Sequence, residues 1–63
     1  MLNSDDQIMT VSQVADYLQI SEITTYKLIQ EEKLPAFKVG RHWRVVKADL
    51  KDFIEKQKKG ERF

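Results

Sequence analysis

Residues 21–45 read SEITTYKLIQEEKLPAFKVGRHWRV, and the fold turns on how this stretch is parsed. Ser21 is a good N-cap, since its hydroxyl can accept from an amide of the first turn, and it opens a helix expected to run to about Glu32. On a 3.6-residue wheel Thr25, Leu28 and Ile29 form the inner face, with Ile20 entering the core from the preceding turn. Ile23, Lys27 and Gln30 point away, flanked by Thr24 and Tyr26. Lys33-Leu34-Pro35 stops the helix, because the residue before Pro disfavours the helical region and Pro lacks an amide donor. Beyond it, Ala36-Phe37-Lys38-Val39 and Trp43-Arg44-Val45-Val46 flank Gly40-Arg41-His42, the pattern of a β-hairpin.

Two registers compete for that hairpin. A two-residue Gly40-Arg41 loop pairs Val39 with His42 and Phe37 with Arg44, mixing apolar and charged groups on one face. A three-residue loop pairs Val39 with Trp43 and Phe37 with Val45, collecting the apolar side chains on one face. The second is the expected register. It sets Lys38 and Arg44 directly opposite each other, where like charges repel unless an anion such as phosphate lies across them.

Upstream, Thr10-Val11-Ser12-Gln13 fits a capping box, and Val11, Val14, Ala15 and Leu18 follow at i, i+3, i+4, i+7. This first helix reads as a scaffold, joined to the second through Gln19-Ile20. Two short helices so closely linked describe a helix-turn-helix. Met1 to Met9 shows no periodic pattern and reads as a flexible lead-in. Downstream, Leu50, Phe53, Ile54 and Gln57 restore the helical period from Lys47, with Asp49 in the first turn. Lys56, Lys58 and Lys59 suit the helix C-terminus, and Gly60 suits a terminator. Leu50, Phe53 and Ile54 are expected to close the core over the hairpin and first helix. The expected division is a lead at 1–8, one domain at 9–58, and a frayed tail at 59–63.

A chain of 63 residues makes one domain near the lower size at which a core folds unaided. It can present a binding surface but hardly a deep substrate pocket. There are no cysteines, so disulfides and thiolate metal sites are excluded, which fits a reducing cytoplasm. The apolar runs are too short to cross a bilayer, and MLNSDDQIM is too acidic and polar for a signal peptide. The net charge of +1 hides an asymmetry. Residues 1–36 carry two lysines against six carboxylates, a net −4; residues 37–63 carry nine cations against four carboxylates, a net +5. A polyanionic partner for the second half follows, against the plainer reading that Lys-rich helices are simply solvated.

Nothing in the chain supports catalysis or a cofactor. Tyr17 and Tyr26 lack the cluster of basic residues that would make a recombinase nucleophile, and there is no carboxylate pair. His42 has no partner ligands, so it reads as a turn residue donating to phosphate or solvent. Trp43, grouped with Phe37 and Val39 in the expected register, reads as a core anchor rather than a base-stacking platform.

MTVSQVADYLQIS, then TxYKLIQEEKLPAFKVGRHWRV and KADLKDFIEK, closely resemble the excisionase-type helix-turn-helix domain related to the MerR regulators. The resemblance spans about residues 9–57, most specifically LPAFKVGRHWR, where Leu34, Pro35, Val39, Gly40, Trp43 and Arg44 match the family pattern. It implies a mainly α, winged helix-turn-helix with a two-stranded wing and a C-terminal helix. The implied helix contacts are Ser21, Glu22, Ile23, Thr24, Tyr26 and Lys27, placed in the major groove of duplex DNA. The implied wing contacts are Lys38, Gly40, Arg41, His42 and Arg44. The implied role is non-enzymatic: bending DNA near an attachment site so that a tyrosine-type integrase excises a mobile element, with cooperative self-association on repeated sites. Many members are transcriptional regulators instead, and a protein-interaction module on the same fold is a third reading. No metal, cofactor, membrane or small-molecule ligand is expected, and a monomer in solution is the default. The implied location is the bacterial cytoplasm, at the nucleoid. The sequence departs from the pattern at Gln19 and Glu32, where glycine is common, and at Glu22, where a basic or polar residue is common. An acid at Glu22 could cap the helix dipole or accept from a cytosine amino group, and repels phosphate in either role.

Overall fold

The computed structural model describes residues 7–60, and the elements run β1 (Ile8–Thr10), α1 (Val11–Leu18), α2 (Glu22–Gln30), β2 (Phe37–Val39), β3 (His42–Val46) and α3 (Lys47–Lys58). Residues 61–63 of the expected tail at 59–63 and most of the expected N-terminal lead lie outside the described residues. The fold is a winged helix-turn-helix, mainly helical with a small antiparallel wing.

Local chemistry sets both helices of the pair. Thr10 Oγ1 accepts from the Gln13 amide at 3.0 Å and Gln13 Oε1 accepts from the Thr10 amide at 2.9 Å, which is the expected capping box. Ser21 Oγ accepts from the Thr24 amide at 3.0 Å and caps α2 as expected. Each helix then ends on a left-handed residue. Gln19 has φ 58°, and the Ile20 amide reaches back to the Ala15 carbonyl at 3.0 Å. Glu32 has φ 59°, with the Lys33 amide on the Leu28 carbonyl at 3.0 Å and its own amide on Ile29 at 3.1 Å. These are Schellman closures, which ordinarily use glycine. The second closes α2 at Gln30, two residues earlier than expected.

Both left-handed side chains are exposed, so replacing them removes strain without removing packing. Gln19→Gly and Glu32→Gly are each expected to stabilise the protein by about 0.5–1 kcal/mol. Urea unfolding with an unchanged slope and a raised midpoint would show it. A lowered midpoint in both variants would contradict the left-handed assignment.

Three antiparallel strands lie in the order β1-β3-β2. The sequence reading lacked β1, having placed residues 7–9 in the lead-in. Met9 pairs with Val45, Thr10 with Arg44 and Ile8 with Val46, and the Lys47 amide donates to the Gln7 carbonyl at 2.8 Å. Met9 is buried accordingly.

The hairpin takes the register that the sequence reading set aside. Phe37 pairs with Arg44, Lys38 with Trp43 and Val39 with His42, across a two-residue Gly40-Arg41 loop. Gly40 supplies the positive φ, 62°, at the first loop position, as a type II′ turn needs, and its twist matches the strands. The core explains why grouping Phe37 and Val39 with Val45 fails. Met9 flanks Val45 from β1, and Leu34, 1 % exposed, enters from the turn before β2, so the inner face is filled without them. Phe37 and Val39 are therefore exposed on the outer face. Trp43 is still packed against the core cluster, but its cross-strand neighbour is Lys38, whose Nζ lies 5.5 Å from the indole centroid.

The core itself gathers Met9, Val11, Val14, Ile29, Leu34, Val45, Leu50 and Phe53, with Leu18, Leu28, Ala36, Trp43 and Ile54 at its margins. Thr25 is fully buried among them, and its hydroxyl donates to the Ser21 carbonyl at 3.0 Å, so its polar atom is satisfied. The expected inner faces of all three helices are the observed ones.

Candidate nucleic-acid interface

Two surfaces carry the residues singled out from sequence. The first is the outer face of α2. Its inner face is committed to the core through Thr25 and Ile29, which leaves Ile23, Tyr26, Lys27 and Gln30 turned to solvent. Glu22 and Thr24 are also exposed and flank this stripe. Ser21 and Thr24 spend part of their hydrogen-bonding capacity within the cap, their hydroxyl oxygens lying 2.9 Å apart. Glu22 occupies the first turn, where its carboxylate favours the helix dipole. Gln30 belongs to the same stripe although it is absent from the family-implied contacts; the helical wheel alone was enough to find it.

The second surface is the wing, and here the observed register redistributes the charges. Arg44 and His42 lie on the outer face of the sheet, with Phe37 and Val39 beside them and Thr10 across from Arg44 on β1. Lys38 lies on the opposite face, over Trp43. Gly40 and Arg41 form the tip. The expected face-to-face opposition of Lys38 and Arg44 does not occur, so no single anion bridges them. The wing instead presents cations on both faces and at the tip. Thr10, brought beside Arg44 by strand pairing, was invisible to the sequence because β1 was.

The two surfaces meet at an open groove of about 550 Å³, lined by Ile29 and Gln30 of α2, by Glu32, Leu34, Pro35 and Ala36 of the turn, and by Trp43 of the wing. Its lining is mostly apolar and holds one titratable side chain, Glu32, so it offers no acid–base pair. Among the described residues no group of three or more His, Cys, Asp or Glu is placed to hold a metal ion. No helix among them is long and apolar enough to cross a membrane. Charge pairing is uneven over the surface. Lys33 pairs with Glu31 at 3.0 Å, Lys56 with Asp52 at 3.3 Å and Lys58 with Glu55 at 3.3 Å. Lys27, Lys38, Arg41 and Arg44 have no carboxylate partner among the described residues, and outside the site neither do Lys47 and Lys59.

Residues 8–58, which contain every element of the fold, match the helix-turn-helix domain family. The chain belongs to that family. Among curated relatives, the domain is 39% identical over 49 residues to "Putative DNA-binding protein Rv0500A" of Mycobacterium tuberculosis (strain H37Rv), covering 78% of this chain and 63% of that one. "Putative DNA-binding protein MT0521" of strain CDC 1551 matches to the same extent. The domain is also 46% identical over 44 residues to "Uncharacterized protein YvgK" of Bacillus subtilis (strain 168), covering 70% of this chain but 14% of that one. It thus spans less than two thirds of the length of each of these relatives. No solved structure matches it. The helix-turn-helix is a DNA-binding type of fold.

Proposed function

We propose that this helix-turn-helix domain binds duplex DNA with α2 in the major groove and the wing along the flanking phosphates. The observation that carries the reading is the division of charge. Lys33, Lys56 and Lys58 are matched by carboxylates of the chain, whereas Lys27 on the outer face of α2 and Lys38, Arg41 and Arg44 on the wing have none among the described residues and are left for an external anion. Phosphate contacts position such a protein, and α2 supplies the base contacts. Ser21, Glu22, Ile23, Thr24, Tyr26 and Lys27 are the helix contacts, and Lys38, Gly40, Arg41, His42 and Arg44 the wing contacts. The names carried by the two Mycobacterium relatives support the same partner.

Within that reading the finer role is an excisionase-like accessory factor, related to the MerR regulators, that bends DNA for a tyrosine-type integrase and self-associates on repeated sites. Bending a site costs about 1–6 kcal/mol and exposes contacts that a straight duplex does not offer. A small transcriptional regulator uses the same surfaces, and no residue of the chain separates the two roles. A protein-interaction module is the weaker alternative, favoured only by the acidic first half and Glu22.

Selection from a random duplex pool, followed by a salt titration on the enriched DNA, tests the proposal. A defined motif bound with a steep salt slope is the expected result. Salt-sensitive binding without a motif would indicate an architectural role addressed by a partner. No binding at low salt would overturn the DNA reading in favour of a protein partner.

A further inference from the structure

Ile23 is the most exposed of the exposed large apolar side chains, at 82 %, against 57 % for Val39 and 53 % for Tyr17. The fold does not explain it. α2 docks through Thr25, Leu28 and Ile29, and a polar residue at position 23 would leave every core contact unchanged. Its neighbours one turn along the helix surface are Tyr26 and Lys27, both polar at their tips and the second a cation without a carboxylate partner among the described residues, with polar Thr24 flanking it. A protein-docking face needs several contiguous apolar side chains, and Ile23 is one apolar point in a polar, cationic ring. A β-branched side chain in a helix is nearly fixed at χ1, so this point is presented rigidly.

The major groove offers a matching target. Base edges there are hydrogen-bond donors and acceptors, with one apolar exception, the C5-methyl group of thymine. Resting on the DNA-binding reading above, we propose that Ile23 is the thymine-reading residue of α2, covering the C5-methyl of one base step while Lys27, one turn further along the same face, meets the polyanion. Specificity at that step comes from methyl burial and not from a hydrogen bond. The cap chemistry is consistent with this division, because the Ser21 and Thr24 hydroxyls are partly used on each other.

The test replaces each thymine of the tightest-binding duplex from a random pool, one at a time, by deoxyuridine, which removes only the methyl. The wild-type protein is expected to lose roughly three- to fivefold in affinity at one thymine and to ignore the others. Ile23→Ala should lose the same factor on the unmodified duplex and show no further loss with uracil at that position. Circular dichroism confirms that the variant is folded. Salt-sensitive binding with no uracil effect at any position would overturn the thymine assignment alone. So would an effect that persists undiminished in Ile23→Ala. Failure of the wild-type protein to bind any duplex at low salt would overturn the DNA reading and this inference with it.

Discussion

Leu50→Ala is expected to leave most of the protein unfolded near physiological temperature and to weaken apparent duplex binding in proportion to the unfolded fraction. Leu50 is fully buried, in one cluster with Val14, Leu34, Val45 and Phe53, and it is the point at which α3 closes the core. Removing a buried leucine to Ala costs about 2–5 kcal/mol, the upper part of that range where the cavity cannot collapse. A domain of 63 residues has roughly 3–9 kcal/mol of stability in total. The loss is therefore comparable to the whole. A thermal melt should show the midpoint lowered by about 10–30 °C. Excess duplex should partly restore it, because a ligand of the folded state raises apparent stability by mass action. A midpoint within a few degrees of wild type would mean that α3 is dispensable to the core.

Lys38→Ala combined with Arg44→Ala is expected to weaken binding to every duplex, by roughly fifty- to hundredfold near ~0.1 M salt, and to lower the slope of log affinity against log salt by about 1.8. The two cations lie on opposite faces of the wing, so each meets its own phosphate. Their effects should therefore add, with a coupling close to zero in a double-mutant cycle. Had they faced each other across one phosphate, the cycle would show strong coupling. Lys38 also covers the Trp43 ring, so Lys38→Met, which keeps the aliphatic stem, separates lost charge from lost packing. Lys56→Ala with Lys58→Ala is the control. Those lysines are paired with Asp52 and Glu55, and the slope should not move. An unchanged slope in the Lys38/Arg44 variant would remove the wing from the interface. Thr24→Ala should instead alter preference at one base step, and uniform weakening on all sites would show that it reads no base.

Much of the architecture is local and was legible in the residues. Thr10 with Gln13 and Ser21 open their helices through side chain–backbone bonds spanning three residues, and such bonds can be read from spacing alone. The inner faces of α1, α2 and α3 follow the 3.6-residue period, and so does the outward stripe of Ile23, Lys27 and Gln30. The left-handed turns at Gln19 and Glu32 carried no glycine to announce them. The family resemblance, not any local propensity, marked those two positions.

The wing is where local reading failed. Residue type alone identified Lys38, Arg41 and Arg44 as wing cations, with His42 beside them, but not the face that Lys38 occupies. A strand's side chains alternate with period two, so a one-residue change in loop length turns those of β2 to the other side relative to β3. Which register wins depends on what else fills the inner face of the sheet. Met9 and Leu34, distant in sequence, fill it, and Phe37 and Val39 are thereby turned outward. β1 illustrates the same cause. Its three residues have no periodicity of their own and become a strand only by bonding to β3, some 36 residues along the chain. The amino-acid sequence by itself determined the helices, the N-caps of α1 and α2 and the helix-turn-helix, because those interactions close within a few residues. Only the tertiary structure decided the third strand, the hairpin register and the face of Lys38, because non-local pairing and competition for one small core settle all three.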